Sequence, residues 1–178
     1  MRSQNLKEYK TPESWNRGAS FLKELFWLTI FKPIVKSSFP GSKWRIICLI
    51  IFGADIGKGI RLSSSLNVTM RWRLIIGNFC WIGEETWINN LALVSIAENV
   101  CISQGVYFCT GNHNYKKSSF DLMVKPIVID SDVWIGAKSI IGPGYKIGKG
   151  SIITLGSIIR EDIPENSIYK KNQIYNFS

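Results

Sequence analysis

Aliphatic residues recur along this chain every six positions. From Ile56 the segments IGKGIR, LSSSLN and VTMRWR are headed by Ile56, Leu62 and Val68. After a two-residue slip come IGNFCW, IGEETW and INNLAL, headed by Ile76, Ile82 and Ile88. A second slip precedes IAENVC, ISQGVY and FCTGNH, headed by Ile96, Ile102 and Phe108. Past an irregular stretch the period resumes with hexads at Ile129, Ile135, Ile141, Ile147, Ile153 and Ile159, fifteen in all. A helix places apolar residues three and four apart, and a half-buried strand alternates with period two, so neither fits. The turns of a β-sandwich come about every 8 to 12 residues and are not strictly periodic. A solenoid fits: each hexad makes one short strand with its leading aliphatic pointing inward, and a small residue follows where the chain turns a corner. Three hexads make one triangular coil, and the coils stack by backbone hydrogen bonding. The slips then fall at coil boundaries. The pattern predicts an all-β solenoid over 55–162 with a loop inserted at about 112–126, a partly helical appendage over 1–54 and a tail over 163–178.

Within the appendage, SFLKELFWLTIFKPIVK brings Leu22, Leu25, Phe26, Thr29 and Ile30 to one helical face, with Pro33 ending the run. Two readings of this short amphipathic helix stay open. It docks on the N-terminal edge of the solenoid and covers unpaired strand groups, or Phe26, Trp27 and Phe31 with Lys23, Lys32, Lys36, Lys43 and Arg45 form a peripheral membrane contact.

The full array, the loop CTGNHNY that interrupts it and the closing run VWIGAKSIIGPGYKIGKGSIITLGSIIREDIPENS resemble the hexapeptide-repeat acyltransferases. Among these the chain is most similar to the colanic acid biosynthesis acetyltransferases, whose N-terminal pattern WRIICLIIFGADIGKGIRL also fits. The resemblance runs from about Trp44 to Ser167. It implies a left-handed parallel β-helix, a homotrimer with active sites between neighbouring solenoids, acetyl-CoA as acyl donor and a carbohydrate acceptor, free, nucleotide-linked or lipid-linked.

Acetyl transfer to a sugar hydroxyl needs a base for the hydroxyl proton and a donor for the oxyanion. Imidazole, with an unperturbed pKa near 6.5, is the side chain best matched to that proton at neutral pH. The chain has one histidine, His113, where the sequence leaves the array. By resemblance the GNH segment matches the catalytic histidine motif, and transfer is direct, without an acyl-enzyme. Cys109, four residues away, is the rival candidate as a nucleophile paired with His113, although a small residue is ordinary after a leading Phe108. The resemblance further implies that Asn89 or Asn90 holds the acceptor. It gives the Ala137 backbone N–H to the thioester carbonyl, and lines the coenzyme site with Trp134, Gly136, Ala137, Leu155, Gly156, Ser157 and Arg160. Arg160 stands where relatives more often have threonine, Tyr145 replaces an aliphatic, and YKKNQ replaces a common GNPA turn; Lys170 and Lys171 are the cations near that end.

Charge adds an asymmetry. The formal net charge is +9, and residues 1–75 hold 13 Lys and Arg against four Asp and Glu, while the remainder carries nine of each. A basic N-terminal region suits an anionic surface or a solvated face; no recognisable nucleic-acid module accompanies it, and no nucleic acid is expected. The start MRSQNLKEYKTPESWNRG has no apolar run after its positive charges, so a cytoplasmic protein is expected, with the inner membrane face as a further location. The apolar stretch Ile46 to Ala54 is too short to span a bilayer. The four cysteines lack C-x-x-C spacing and read as small core residues. A zinc-dependent carbonic anhydrase on this architecture needs three histidines, so no metal is expected. The alternatives left are a non-enzymatic scaffold and an acetyltransferase acting on a free sugar or an amino sugar.

Overall fold

The computed structural model describes residues 5–176; the first four positions of the appendage and the last two of the tail lie outside it. The chain forms a parallel β-solenoid of about six turns with a short helical N-terminal region. Three sheets make its sides. The first stacks Asp55–Ile56, Leu74–Ile76, Val94–Ile96, Ile127–Ile129 and Lys146–Ile147. The second stacks Arg61–Leu62, Trp81–Ile82, Cys101–Ile102, Trp134–Ile135 and Ile152–Ile153, and the third stacks Asn67–Val68, Trp87–Asn89, Tyr107–Cys109, Ile140–Ile141 and Ile158–Ile159.

The leading aliphatics pair in register, coil over coil. Ile76 lies over Ile56 and under Ile96, Ile129 and Ile147; Ile102 sits between Ile82 and Ile135; Phe108 sits between Ile88 and Ile141. Nearly every leading residue from Leu62 onward is almost wholly buried. The interior is therefore three aliphatic columns, each rung separated by the ~4.8 Å spacing of paired strands.

The small residue after the leading aliphatic has a different cause from the one expected. Left-handed backbone falls three places after the leader, at Gly59, Phe79, Asn99, Asp132 and Gly150 on one corner and at Ser65, Glu85, Gly105, Lys138 and Gly156 on the next. The position immediately after the leader faces the next coil instead. A Cβ on Gly136 would lie 2.5 Å from the Leu155 backbone nitrogen. Close stacking, and not the turn, forbids the side chain there.

Both ends of the stack are covered. At the N-terminal end Ser42 Oγ accepts from the Leu62 N–H at 3.1 Å and donates to the Leu62 carbonyl at 3.0 Å, pairing an otherwise open edge. The stretch expected to be a C-terminal tail continues the solenoid. Ile163 bridges to Ile147, Ser167–Lys170 adds a parallel strand with Tyr169 over Ile153, and Gln173–Asn176 folds back antiparallel. Lys171 and Asn172 make that turn with positive φ, as a type I′ hairpin requires.

The helical appendage departs from its expected form in two ways. Phe21–Phe26, a π-helical turn Trp27–Phe31 and Lys32–Lys36 form one run, so Pro33 sits in the first turn of the last segment and does not end it. Proline has no N–H for the carbonyl four residues back, and the widened turn before it absorbs that loss. The buried face is also the opposite one: Trp27 and Val35 are sealed against the solenoid while Leu22, Leu25, Phe26, Thr29 and Ile30 face outward. Arg71, from the short helical turn Arg71–Arg73 that ends the first coil, selects that face. Its guanidinium lies 4.2 Å over the Trp27 ring and 4.0 Å over the Trp72 ring, and burial pushes its pKa down to about 9. A second helix, Lys43–Ile51, buries Leu49 and Arg45, and Arg45 donates to the carbonyls of Val35, Ser37, Phe39 and Gly41. No helix among the described residues is long and apolar enough to cross a membrane.

Truncating a middle rung should expose how far the columns carry stability. Ile102→Ala is expected to lower the unfolding free energy by about 3 kcal/mol, read as a lower midpoint in urea denaturation; an unchanged midpoint would contradict the column packing.

Candidate active site at the histidine corner

Both two-residue slips and the inserted loop occupy the same corner of the prism, between the third sheet and the first. The corner is stapled from inside. Asn90, fully buried, accepts from the Met70 N–H at 2.8 Å and donates to the Met70 carbonyl at 2.6 Å and the Arg73 carbonyl at 2.9 Å. One coil on, buried Thr110 Oγ1 donates to the Asn89 carbonyl and accepts from the Ala92 N–H. Asn90 thus spends both amide N–H groups and one lone pair of its oxygen on backbone, and clamps the corner. Asn89 keeps a half-buried place beside Cys109, its side-chain nitrogen donating to the Tyr107 hydroxyl at 3.1 Å.

The insertion is not an irregular loop but an antiparallel hairpin, Gly111–His113 against Leu122–Val124, with His113 opposite Leu122. His113 is half-buried at its outer end. Its Nδ1 lies 2.8 Å from the Phe120 carbonyl oxygen. A carbonyl only accepts, so Nδ1 carries a proton, and in the neutral ring the lone pair is on Nε2. The Phe120 ring stacks on the imidazole with centroids 4.3 Å apart and planes 3° apart. Tyr9 approaches from the other side at 5.9 Å, held there because the Asn5 N–H donates to the Ser118 carbonyl and Ser118 Oγ donates to Glu8. The imidazole is thereby fixed in tautomer and orientation by Phe120.

Cys109 is engaged elsewhere: its Sγ lies 3.2 Å from the Gly111 carbonyl, and no hydrogen bond joins it to His113 among the described residues. It lines a cleft of about 560 Å³ on the third sheet, with Asn112, Lys125, Tyr145, Ile158 and Arg160. Burial pushes up the pKa of the Tyr107 phenol on the same wall, and its contact with Cys109 pushes it further.

The other expected site residues lie at a different corner, between the second and third sheets. Trp134 is half-exposed and its Nε1 donates to Ser103 Oγ at 3.0 Å. Gly136 is buried, its N–H given to the Ile153 carbonyl, whereas the Ala137 N–H makes no hydrogen bond among the described residues. Leu155 is 78% exposed, Gly156 has open space around it, and Ser157 is buried with Oγ donating to the Thr154 carbonyl at 2.6 Å. Ser157 serves its own turn. Between Ala137 and the His113 corner lies one whole side of the prism, a hexad that spans roughly 15 to 20 Å at about 3.3 Å per residue. One chain therefore gathers His113, Asn89, Cys109 and Arg160 at one side and Trp134, Ala137, Leu155 and Gly156 at another. The six-residue period did not point to Phe120, Lys125 or Tyr9, because none is a rung of the solenoid. Among the described residues no group of three or more His, Cys, Asp or Glu comes together that could hold a metal ion.

No protein-family model matches the chain. It is 28% identical, over 95% of its length and 93% of the relative, to the provisionally named colanic acid biosynthesis acetyltransferase WcaF of Escherichia coli K12. It is 36% identical to the galactoside O-acetyltransferase of the same strain, over 57% of this chain and 64% of that one. A hexapeptide-repeat acetyltransferase from Vibrio cholerae, solved with acetyl coenzyme A, superposes with a TM-score of 0.78 at 20% identity, covering 90% of this chain and 89% of the other. A galactoside acetyltransferase in complex with coenzyme A gives 0.69 at 23% identity, covering 88% and 80%. What these two structures share with this chain is the fold.

If Asn90 is a clamp and not a ligand, its loss should register in stability first. Asn90→Ala leaves the Met70 N–H and the Arg73 carbonyl unpaired, while the Met70 carbonyl keeps the Arg73 N–H at 2.9 Å; it is expected to cost about 2 to 3 kcal/mol, seen as a lower thermal midpoint, and full retention of that midpoint would return Asn90 to the list of acceptor contacts.

Proposed function

We propose that this chain, an acyltransferase of the hexapeptide-repeat family, moves the acetyl group of acetyl-CoA onto a sugar hydroxyl in the synthesis of a surface or exported polysaccharide. The observation that carries the mechanism is the Nδ1 contact to the Phe120 carbonyl, because in the neutral ring it puts the proton on Nδ1 and leaves the lone pair on Nε2. As the hydroxyl oxygen attacks the thioester carbonyl, its proton passes to Nε2. The tetrahedral oxyanion is met by the Ala137 N–H. Collapse breaks the carbon–sulfur bond, and the imidazolium returns the proton to the departing thiolate. Cys109 takes no covalent part; its thiol faces the Gly111 carbonyl.

The separation of the two corners supports a homotrimer, in which one chain's His113 works with the Ala137, Leu155 and Gly156 corner of its neighbour. Outward apolar side chains on the second and third sheets, Trp81, Trp134, Trp87, Ile140 and Ile158, are between 37% and 52% exposed in the single chain. They would line such an interface. Arg160 and Lys125 in the cleft are cations suited to the phosphates of the coenzyme. Relatives named for a galactoside and for colanic acid support a carbohydrate acceptor.

Purified protein with acetyl-CoA is expected to release free thiol in the presence of at least one member of a broad sugar panel; silence across the panel overturns the reading. His113→Ala should reduce turnover about 10²- to 10⁴-fold with coenzyme binding in calorimetry unchanged, while Cys109→Ala stays near wild type. A collapse of the cysteine variant with little loss in the histidine variant would reverse the assignment.

A further inference from the structure

We infer that the outward faces of the two N-terminal helical segments form a docking surface for an anionic lipid bilayer. Each segment buries one face and leaves an apolar triplet, at spacing i, i+3, i+4, in water. In the first it is Leu22, Leu25 and Phe26, 63%, 43% and 53% exposed; in the second it is Ile47, Ile50 and Ile51, 56%, 46% and 63% exposed. The inner faces of the two segments share one anchor. Phe52, at the end of the second helix, packs against Trp27 and Phe31 of the first with ring centroids 5.3 and 4.6 Å apart. Both helices cover the same end of the solenoid, so both triplets point away from it.

The charge around this surface selects the partner. Between Ser20 and Ala54 the only carboxylate is Glu24, which is buried and paired with Arg17 at 2.6 Å. Lys36 and Lys43 are exposed beside the apolar triplets, while Lys23 and Lys32 are half-buried, Lys23 lying over the Trp72 ring at 5.9 Å; none of the four is in an ion pair among the described residues. A second copy of this chain docking by the same face would oppose lysine to lysine. A bilayer takes the six side chains into its interface and gives the exposed Lys36 and Lys43 phosphate partners. The surface lies at the end of the solenoid, away from the His113 hairpin, and the inference does not depend on acetyl transfer.

Co-sedimentation of the full chain with vesicles tests it. The wild-type protein is expected to bind vesicles of phosphatidylcholine mixed with phosphatidylglycerol at low salt, to bind less at high salt, and to leave pure phosphatidylcholine vesicles in the supernatant. Phe26→Asp with Ile50→Asp, at exposed positions, should weaken binding about tenfold or more with the thermal midpoint unchanged. Should that pair disturb folding, Lys36→Gln and Lys43→Gln change only exposed side chains and should each weaken binding about fivefold. Absence of wild-type binding at low salt, equal binding to both vesicle types, or indifference to all four substitutions overturns the inference. So does a fall in oligomeric mass by light scattering for the aspartate pair without any change in vesicle binding, which would assign the face to a second copy.

Discussion

The spacing between stacked coils governs this molecule. Paired strands lie ~4.8 Å apart, and every backbone ladder in the solenoid holds neighbouring coils to that distance. It leaves room for one aliphatic rung per side inside. It also brings coils so close at Gly57, Gly77, Gly83, Gly136 and Gly148 that a Cβ there would lie within 3 Å of the adjoining backbone, as at Gly136 against Leu155. The same constraint makes the stack rigid, because a rung cannot shift without moving the rungs above and below it. Additional residues can be accommodated only where the corner is not closed by such contacts.

That is why the third corner matters. Both two-residue slips and the 111–124 hairpin emerge there, over a floor of buried Asn90 and Thr110 whose side chains replace the backbone bonds that the extra residues interrupt. The rigid floor gives the hairpin a fixed base, and the hairpin in turn holds the imidazole through a carbonyl and a stacked ring. The imidazole is thus placed on a short, doubly anchored element and not on a free loop. The N-terminal segment adds to the enclosure, carrying Tyr9 to the exposed side of the ring.

The helical appendage shows the opposite balance. Its inner contacts are specific: Arg71 between two indoles, Arg45 on four carbonyls and Ser42 on the open strand. Between Ser20 and Ala54 its outer face is apolar and cationic with no exposed acid. Capping the first coil explains the inner face and leaves the outer one without a structural task.

The solenoid was legible in the order of residues because its stacking repeats: one aliphatic in six, in register, is enough to specify strand length, corner and coil. The lone histidine was legible because it breaks that repeat. Tertiary structure alone decided the matters that depend on partners distant in sequence. It spent Asn90 on Met70 and Arg73, turned residues 163–176 from a tail into a further partial coil with a capping strand, and buried Trp27 in place of the Leu22, Leu25 and Phe26 face. In the last case helical periodicity identified an apolar stripe correctly, but a guanidinium 44 residues further along the chain, at Arg71, determined which side met the core. Local pattern specifies which residues share a face; only the packed fold determines what that face meets.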